Sequence, residues 1–169
     1  MLTGFRRLAA IGTLALLAGC GGGGSGDGEV RNVVEKAQAD ARFSTLAGAV
    51  VAADLASTLS GDGPFTVFAP TDDAFAALLD ELGVTREQLL ADKALLTQVL
   101  TYHVVPGQVL RAQVPLGAPI TTVQGQTFTV DGGLAITDQR GRVANIVETD
   151  VLASNGVIHA LDRVILPRP

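Results

Sequence analysis

Apolar residues recur at helical spacing in the first half of this chain. Intervals of three or four residues, which place side chains on one face of an α-helix, separate Val30, Val33, Val34, Ala37 and Ala41. The pattern predicts a helix over 30–41. A second helix is predicted after Ser44 and Thr45, which can cap its N-terminus. Its apolar positions are Leu46, Val50, Val51 and Leu55.

One stretch predicts a strand that turns directly into a helix. The run 65–68 reads Phe-Thr-Val-Phe, a β-favouring composition, and prolines bound it at Pro64 and Pro70. Thr71 then stands where a helix N-cap is expected, and the acidic pair at 72–73 follows where the helix dipole favours negative charge.

Further helix boundaries can be placed from capping residues. Gly83 is positioned to end the helix that starts after Thr71. Thr85 and Gln88 have the spacing of a capping box. Asp92 can cap another helix, whose apolar positions are Leu95, Leu96, Val99 and Leu100.

After Thr101 the pattern changes to short β-favouring runs separated by turn residues. We interpret 102–105 as extended, with a turn at Pro106 and Gly107. Strands are predicted near Gln108–Leu110, Ile120–Val123, Thr127–Val130, Leu134–Thr137, Val143–Thr149 and Gly156–Leu166. Because helices occupy the first half and strands the second, the fold class is α+β.

The first nineteen residues have the features of an export signal. Arg6 and Arg7 precede the apolar run 8–17, which is too short to span a bilayer. The run ends in Leu-Ala-Gly-Cys at 17–20, which resembles the lipobox of bacterial lipoproteins. The resemblance implies that 1–19 is removed and that Cys20 is acylated. An ordinary secreted protein with a chance cysteine is the alternative.

A glycine-rich segment at 20–28 follows, and it predicts a flexible tether because it has too little apolar surface to fold. Residues 29–169 are then long enough for one domain with its own core. Cys20 is the only cysteine, so the domain contains no intrachain disulfide.

Charge and composition narrow the range of partners. The chain has 12 basic and 17 acidic side chains, and loss of Arg6 and Arg7 with the leader makes it more acidic still. This balance argues against nucleic acid and against adsorption of the domain to anionic lipid, so membrane contact is expected through the N-terminal lipid only. The absence of tryptophan argues against an aromatic sugar-binding platform.

Three blocks in order resemble those of the fasciclin (FAS1) domain family, and they span most of the predicted domain. The first is 66–75, Thr-Val-Phe-Ala-Pro-Thr-Asp-Asp-Ala-Phe. The second is 102–107, Tyr-His-Val-Val-Pro-Gly. The third is 155–167, which begins Asn-Gly-Val-Ile-His-Ala. The resemblance implies a FAS1-type fold in which two small β-sheets pack together with helices along one side.

The resemblance also implies work at a cell surface. We expect a lipid-anchored, non-catalytic binding module that makes adhesive or matrix contacts with an envelope or extracellular protein. A carrier that holds a small apolar or lipidic ligand is the alternative. The Tyr102-His103 motif is linked to receptor binding in animal family members. In this chain we favour a structural role, in which His103 is buried and braces the fold.

Other residues give weak signals for chemistry, and we expect no cofactor and no metal. His159 lies in an apolar strand and is interpreted as a satisfied, half-buried histidine. A metal or acid–base pair of His103 and His159 stays open, as does a dyad of Asp72 and Asp73, although helix-start carboxylates are usually caps. The residue after Cys20 is glycine rather than aspartate, so in a host with two membranes we expect the outer one, with the domain facing the periplasm or the exterior.

Overall fold

A computed structural model describes residues 31–169 of the 169-residue chain. The predicted leader, Cys20 and the glycine-rich tether lie outside the described residues. Six α-helices are present in this part of the chain; three precede the first strand and three lie between the first and second strands. They are α1 (Val33–Ala39), α2 (Ser44–Ala52), α3 (Ala56–Leu59), α4 (Asp72–Leu82), α5 (Arg86–Ala91) and α6 (Lys93–Tyr102), with short 3₁₀ turns at Ala41–Phe43 and Arg111–Gln113.

The described strands are β1 (Phe65–Pro70), β2 (Val104–Pro106), β3 (Pro119–Thr121), β4 (Thr127–Val130), β5 (Ala135–Thr137), β6 (Val143–Ala153) and β7 (Gly156–Leu161). They join in the order β2-β1-β7-β6-β5-β4-β3. Only the pairing of β1 with β7 is parallel, and the other neighbours are antiparallel.

Strand β6 joins the two halves of this sheet, one formed by β1, β2 and β7 and the other by β3 to β5. Its beginning pairs with β5 and its remainder pairs with β7, with two irregularities in register between Ile146 and Val151. The half formed by β1, β2 and β7 therefore continues into the half formed by β3 to β5. This confirms the predicted α+β fold class, with two small β-layers joined through β6 and helices along one side.

Strands β1 and β7 are buried on both faces, because each lies between the helices and the other β-layer. Alternate residues of β1 show this: Val67 and Ala69 join the core under the helices, whereas Phe68 joins a second core. The ring of Phe68 meets that of Phe128 on β4 edge to face, with centroids 5.0 Å apart. The second core thus holds the two layers together.

Local capping explains where most helices begin and end. The hydroxyl of Thr71 accepts a hydrogen bond from the N–H of Ala74 at the start of α4, and Gly83 ends α4 in the left-handed conformation. Both bonds of the predicted capping box of Thr85 and Gln88 are present at α5. These predictions from sequence are confirmed.

Helix α2 is capped from outside, and the prediction of Ser44 and Thr45 as its cap was wrong. Asp72 accepts hydrogen bonds from the Ser44 hydroxyl and from the N–H of Thr45. Burial opposes ionisation of Asp72, but the bonds from Ser44 and Thr45, helped by nearby Arg86, outweigh it and lower the Asp72 pKa.

Some predicted boundaries were also wrong. Tyr102 ends α6 and His103 is its C-cap with helical dihedral angles, so the extended run starts only at Val104. The predicted strand at 108–110 is irregular, and β7 ends at Leu161 rather than at 166. The segment after β7 forms a buried tail over 164–167, whose backbone bonds to side chains instead of to a neighbouring strand.

Within residues 31–169, no helix combines the length and apolarity that crossing a membrane requires.

Candidate functional site

The Tyr102 side chain lies in the second core. Its ring is fully buried and meets Phe128 edge to face at 6.0 Å. Its hydroxyl donates to the carbonyl of Thr127 at 2.9 Å and accepts from the N–H of Gln139 at 3.3 Å. Burial raises the pKa of Tyr102 to about 12. The phenol therefore stays neutral and joins β4 to the turn after β5.

His103 is buried and joins helix α6 to the C-terminal tail. Its Nδ1 lies 2.7 Å from the carbonyl of Val99, and its Nε2 accepts from the N–H of Ile165 at 3.2 Å. An imidazole with this pair of partners carries its proton on Nδ1. Burial lowers the pKa of His103 to about 4, so the ring is neutral near pH 7.

His159, in the middle of β7, is fully buried rather than half-buried as the sequence suggested. Its Nε2 lies 2.8 Å from the carbonyl of Val109, and its Nδ1 accepts from the N–H of Asp150 at 3.3 Å. The ring also packs against Phe68, with centroids 5.3 Å apart. This histidine fastens the irregular segment after β2 to the centre of the sheet.

The two histidines use both ring nitrogens for backbone groups, which leaves neither nitrogen available for a metal or a reacting proton. In the described part of the chain, no group of three or more His, Cys, Asp or Glu side chains is placed to hold a metal ion. The Asp72 carboxylate is occupied by the start of α2, and Asp73 is exposed. The described geometry therefore contains no acid–base dyad at 72–73.

Asp138 is a structural residue that sequence reasoning missed. One carboxyl oxygen accepts from the N–H groups of Arg140 and Arg142, and the other accepts from the N–H of Leu166. The side chain is buried. An aspartate before a glycine-containing turn signals the first two bonds. The third joins residues 28 positions apart, and no local pattern reveals it.

The C-terminal tail forms one wall of an apolar cavity of about 140 Å³. Helices α4, α5 and α6 supply the opposite wall through leucines and Val99, and the tail supplies Leu166, Pro167 and Pro169. Exposed residues, including Leu82, stand at the rim, so the cavity opens to solvent. Arg140 and Arg168 also line it.

A second surface feature is the solvent-facing side of β3 to β6. Its outward residues follow from register and from the burial of their neighbours. We call this set the outer face: Pro119, Thr121, Thr127, Thr129, Ala135, Thr137, Val143 and Asn145. None of these side chains is charged, and Pro119, Thr129, Thr137 and Val143 form one row across four strands.

Comparison with known proteins gives the same family over most of the chain. The model of the Fasciclin domain family matches residues 41–167. A Synechocystis protein named Protein sll1483 is 49% identical over 138 residues, which is 80% of this chain and 73% of that protein. The family that this model describes is not a family of enzymes.

Two further relatives are larger proteins. Human periostin is 32% identical over 142 residues, covering 81% of this chain and 16% of periostin. The cell surface glycolipoprotein MPB83 of Mycobacterium bovis is 37% identical over 114 residues, covering 68% of this chain and 48% of MPB83. This chain therefore spans only part of each.

Among solved structures, a FAS1 domain pair from the insect cell adhesion molecule Fasciclin I has the same fold. The TM-score is 0.69 at 16% sequence identity, over 80% of this chain and 51% of that one.

Proposed function

The chain belongs to the Fasciclin domain family, and from this premise we propose that it is a lipid-anchored binding module of the cell envelope. It acts by surface contact with an envelope or extracellular protein or matrix component, without catalysing a reaction. Fasciclin I is named as a cell adhesion molecule and MPB83 as a cell surface glycolipoprotein, which supports this class of function.

The observation that carries the proposal is the outer face. The chain has 12 basic and 17 acidic residues, yet the outer face presents eight uncharged side chains side by side on four strands. Charged residues are depleted at the centres of protein interfaces, so an uncharged patch is a favourable contact surface. Val143, 48% exposed, lies at the end of the cross-strand row.

A charge on this face tests the contact function. Beads coated with the chain from residue 20 onward, with Cys20→Ser, are mixed with host cells, and retained beads are counted. Val143→Lys is expected to lower retention at least tenfold, since a lysine that is covered by the partner must be desolvated. Val51→Lys is the matched control, because Val51 is 58% exposed on α2 and lies outside the outer face. Equal retention of both variants, or no retention of the unsubstituted chain, would contradict the proposal.

Attachment to the envelope rests on the lipobox ending at Cys20. In this proposal the acyl groups on Cys20 hold the exported domain at a membrane, which in a host with two membranes is the outer one, and residues 21–28 let the domain stand away from it. In cell fractionation, the unsubstituted chain is expected in the membrane fraction, and the Cys20→Ser variant is expected in the soluble fraction. A fully soluble chain with unmodified Cys20 would rule the anchor out.

A carrier of a small apolar or lipidic ligand is the second candidate function. The apolar cavity between α4–α6 and the tail is the observation that favours it, since ligand sites are typically concave and lined mainly by apolar side chains. Mass spectrometry of organic extracts from the purified chain tests this candidate, and a reproducible stoichiometric small molecule is the expected result.

A further inference from the structure

The cavity between the helices and the tail has the size of a small organic body. Its volume is about 140 Å³, and most of its lining is aliphatic or aromatic. An apolar cavity of about 150 Å³ in another protein stays dry and binds benzene. A ligand portion of about six to eight carbon atoms therefore suits this space, whereas a long acyl chain or a nucleotide does not.

The tail wall is held firmly, because each of four consecutive residues is bonded to another part of the fold. His103 holds the N–H of Ile165, and Asp138 holds the N–H of Leu166. Arg140 Nε donates to the carbonyl of Pro167, and the Gln126 amide both accepts from and donates to the backbone of Arg168. The cavity is thus formed in advance, which lowers the entropic cost of binding.

Two guanidinium groups at the rim have no carboxylate partner in the described part of the chain. Arg140 and Arg168 use Nε for backbone carbonyls, at Pro167 and Gln139, and neither makes an ion pair there. Arg42 shows the contrast, because it pairs with Asp40 and Glu148.

A third arginine lies close to helix α4, where an ion pair offsets its charge. Arg142 pairs with Glu81, the residue before Leu82 in α4. Its Nη1 is buried without a hydrogen-bond acceptor among the described residues. In a chain whose formal net charge is −5, Arg140 and Arg168 place two guanidinium groups without an ion pair in the described part of the chain at an apolar opening, which favours an anion.

We propose that the cavity binds a small organic acid, with an apolar body of about six to eight carbon atoms inside and its carboxylate between Arg140 and Arg168 at the rim. This inference deepens the second candidate function and rests on it. A cavity of this volume suits a free small molecule, and the planar guanidinium matches a carboxylate better than it matches a hydroxyl group.

The test is a titration followed by NMR chemical shifts of backbone amides. The chain from residue 20 onward, with Cys20→Ser, contains all of residues 31–169 that the structure describes. Octanoate, 1-octanol and octylammonium share an alkyl body and differ in head-group charge. Octanoate is expected to shift the amides of Leu82, Leu96, Gln98 and Arg168 saturably and to bind about tenfold more tightly than 1-octanol, or more. A hydrogen bond between charged groups is roughly twice as strong as a neutral one, and two arginines can contribute such bonds. Octylammonium is expected not to bind.

Substitutions of the rim arginines distinguish the effect of their charge on octanoate affinity from the effect of their bonds to the C-terminal tail. Arg168→Gln and Arg140→Gln are each expected to weaken octanoate about tenfold, whereas Arg140→Lys keeps the charge and keeps most of the affinity. Arg163→Gln is the matched control, because Arg163 is exposed and lies outside the cavity lining. Its affinity is expected to be unchanged.

Four outcomes would overturn the inference: no saturable shifts, equal affinity for octanoate and 1-octanol, preference for octylammonium, or saturable shifts located away from the cavity. The comparison of head groups uses the unsubstituted domain and so stays decisive if an arginine variant fails to fold. A titration without shifts removes this ligand site but leaves the contact function intact, because bead retention measures that function without any added acid.

Discussion

The imidazole of His103 accepts a hydrogen bond from the N–H of Ile165, 62 positions later in the chain. Through this bond and the bond from its other nitrogen to Val99, the motif residue connects α6 with the tail that walls the cavity. His103 thus lies between the helical part of the fold and its C-terminal segment. Several measurable consequences follow from that position.

The first consequence is a dependence of stability on pH. The pKa of His103 is about 4 in the fold, against about 6.5 for an unfolded histidine, so the unfolded chain binds the proton first as pH falls. The contribution of neutral His103 to the free energy of unfolding is complete above pH 6.5. As the pH falls to 4, this contribution decreases progressively, by about 3 kcal/mol in all. Roughly 1 kcal/mol is lost by pH 5.5, before most carboxyl groups titrate.

Urea denaturation of the unsubstituted domain and of His103→Gln at pH 7.5 and 5.5 measures this effect. The gap in unfolding free energy between the two is expected to narrow by roughly 1 kcal/mol at the lower pH. His159 is present in both proteins, so its contribution cancels in the difference. Asp138 acts on the His103 imidazole and is also common to both. A gap that stays constant would show that His103 is not held neutral by the fold.

A second prediction concerns Asp138. Asp138→Asn replaces one acceptor oxygen with an amide that faces an N–H donor, either of Leu166 or of the turn at 140–142. Because the site is buried, we expect a loss of about 2 kcal/mol in unfolding free energy.

Asp131→Asn is the matched control for Asp138→Asn. Asp131 uses a single oxygen to accept from the N–H groups of Gly133 and Ala135, and it is exposed. Asparagine keeps that oxygen, so the expected cost is under about 0.5 kcal/mol. Equal costs in chemical denaturation would mean that the bond from Asp138 to the tail contributes nothing.

A third prediction concerns the close approach of β1 and β7. A Cβ at Gly156 would collide with the backbone carbonyl of Phe65, which cannot move without disturbing the centre of the sheet. Gly156→Ala is expected to cost about 3 kcal/mol or more. Gly132→Ala meets no atom within 4 Å, and its cost should stay within about 0.5 kcal/mol. Thermal melts that show similar shifts for the two variants would refute this account of the β1–β7 contact.

Local features of the sequence predicted local structure well. The caps at Thr71 and Thr85 and the helix end at Gly83 depend on residues within one turn of each other, so short patterns reveal them. The end of α6 did not follow from such a pattern. Tyr102 and His103 have no strong helix propensity, and packing around both side chains keeps them helical instead.

The candidate sites depended on contacts that no local pattern contains. Asp138 reaches the tail across 28 positions, and Asp72 caps α2 across 27. The outer face required the register of four strands, and the cavity required the position of the tail against α4–α6. The three sequence blocks could therefore predict the family and fold, but neither the contact surface nor the cavity.

Bead retention per folded molecule, compared between His103→Gln and Val143→Lys, tests the account most directly. If contact is made by the outer face and His103 only supports the fold, His103→Gln lowers the melting temperature and keeps retention, whereas Val143→Lys keeps the melting temperature and loses retention. The reverse pattern, with retention lost at His103 while its melting temperature is unchanged and retention kept at Val143, would contradict it.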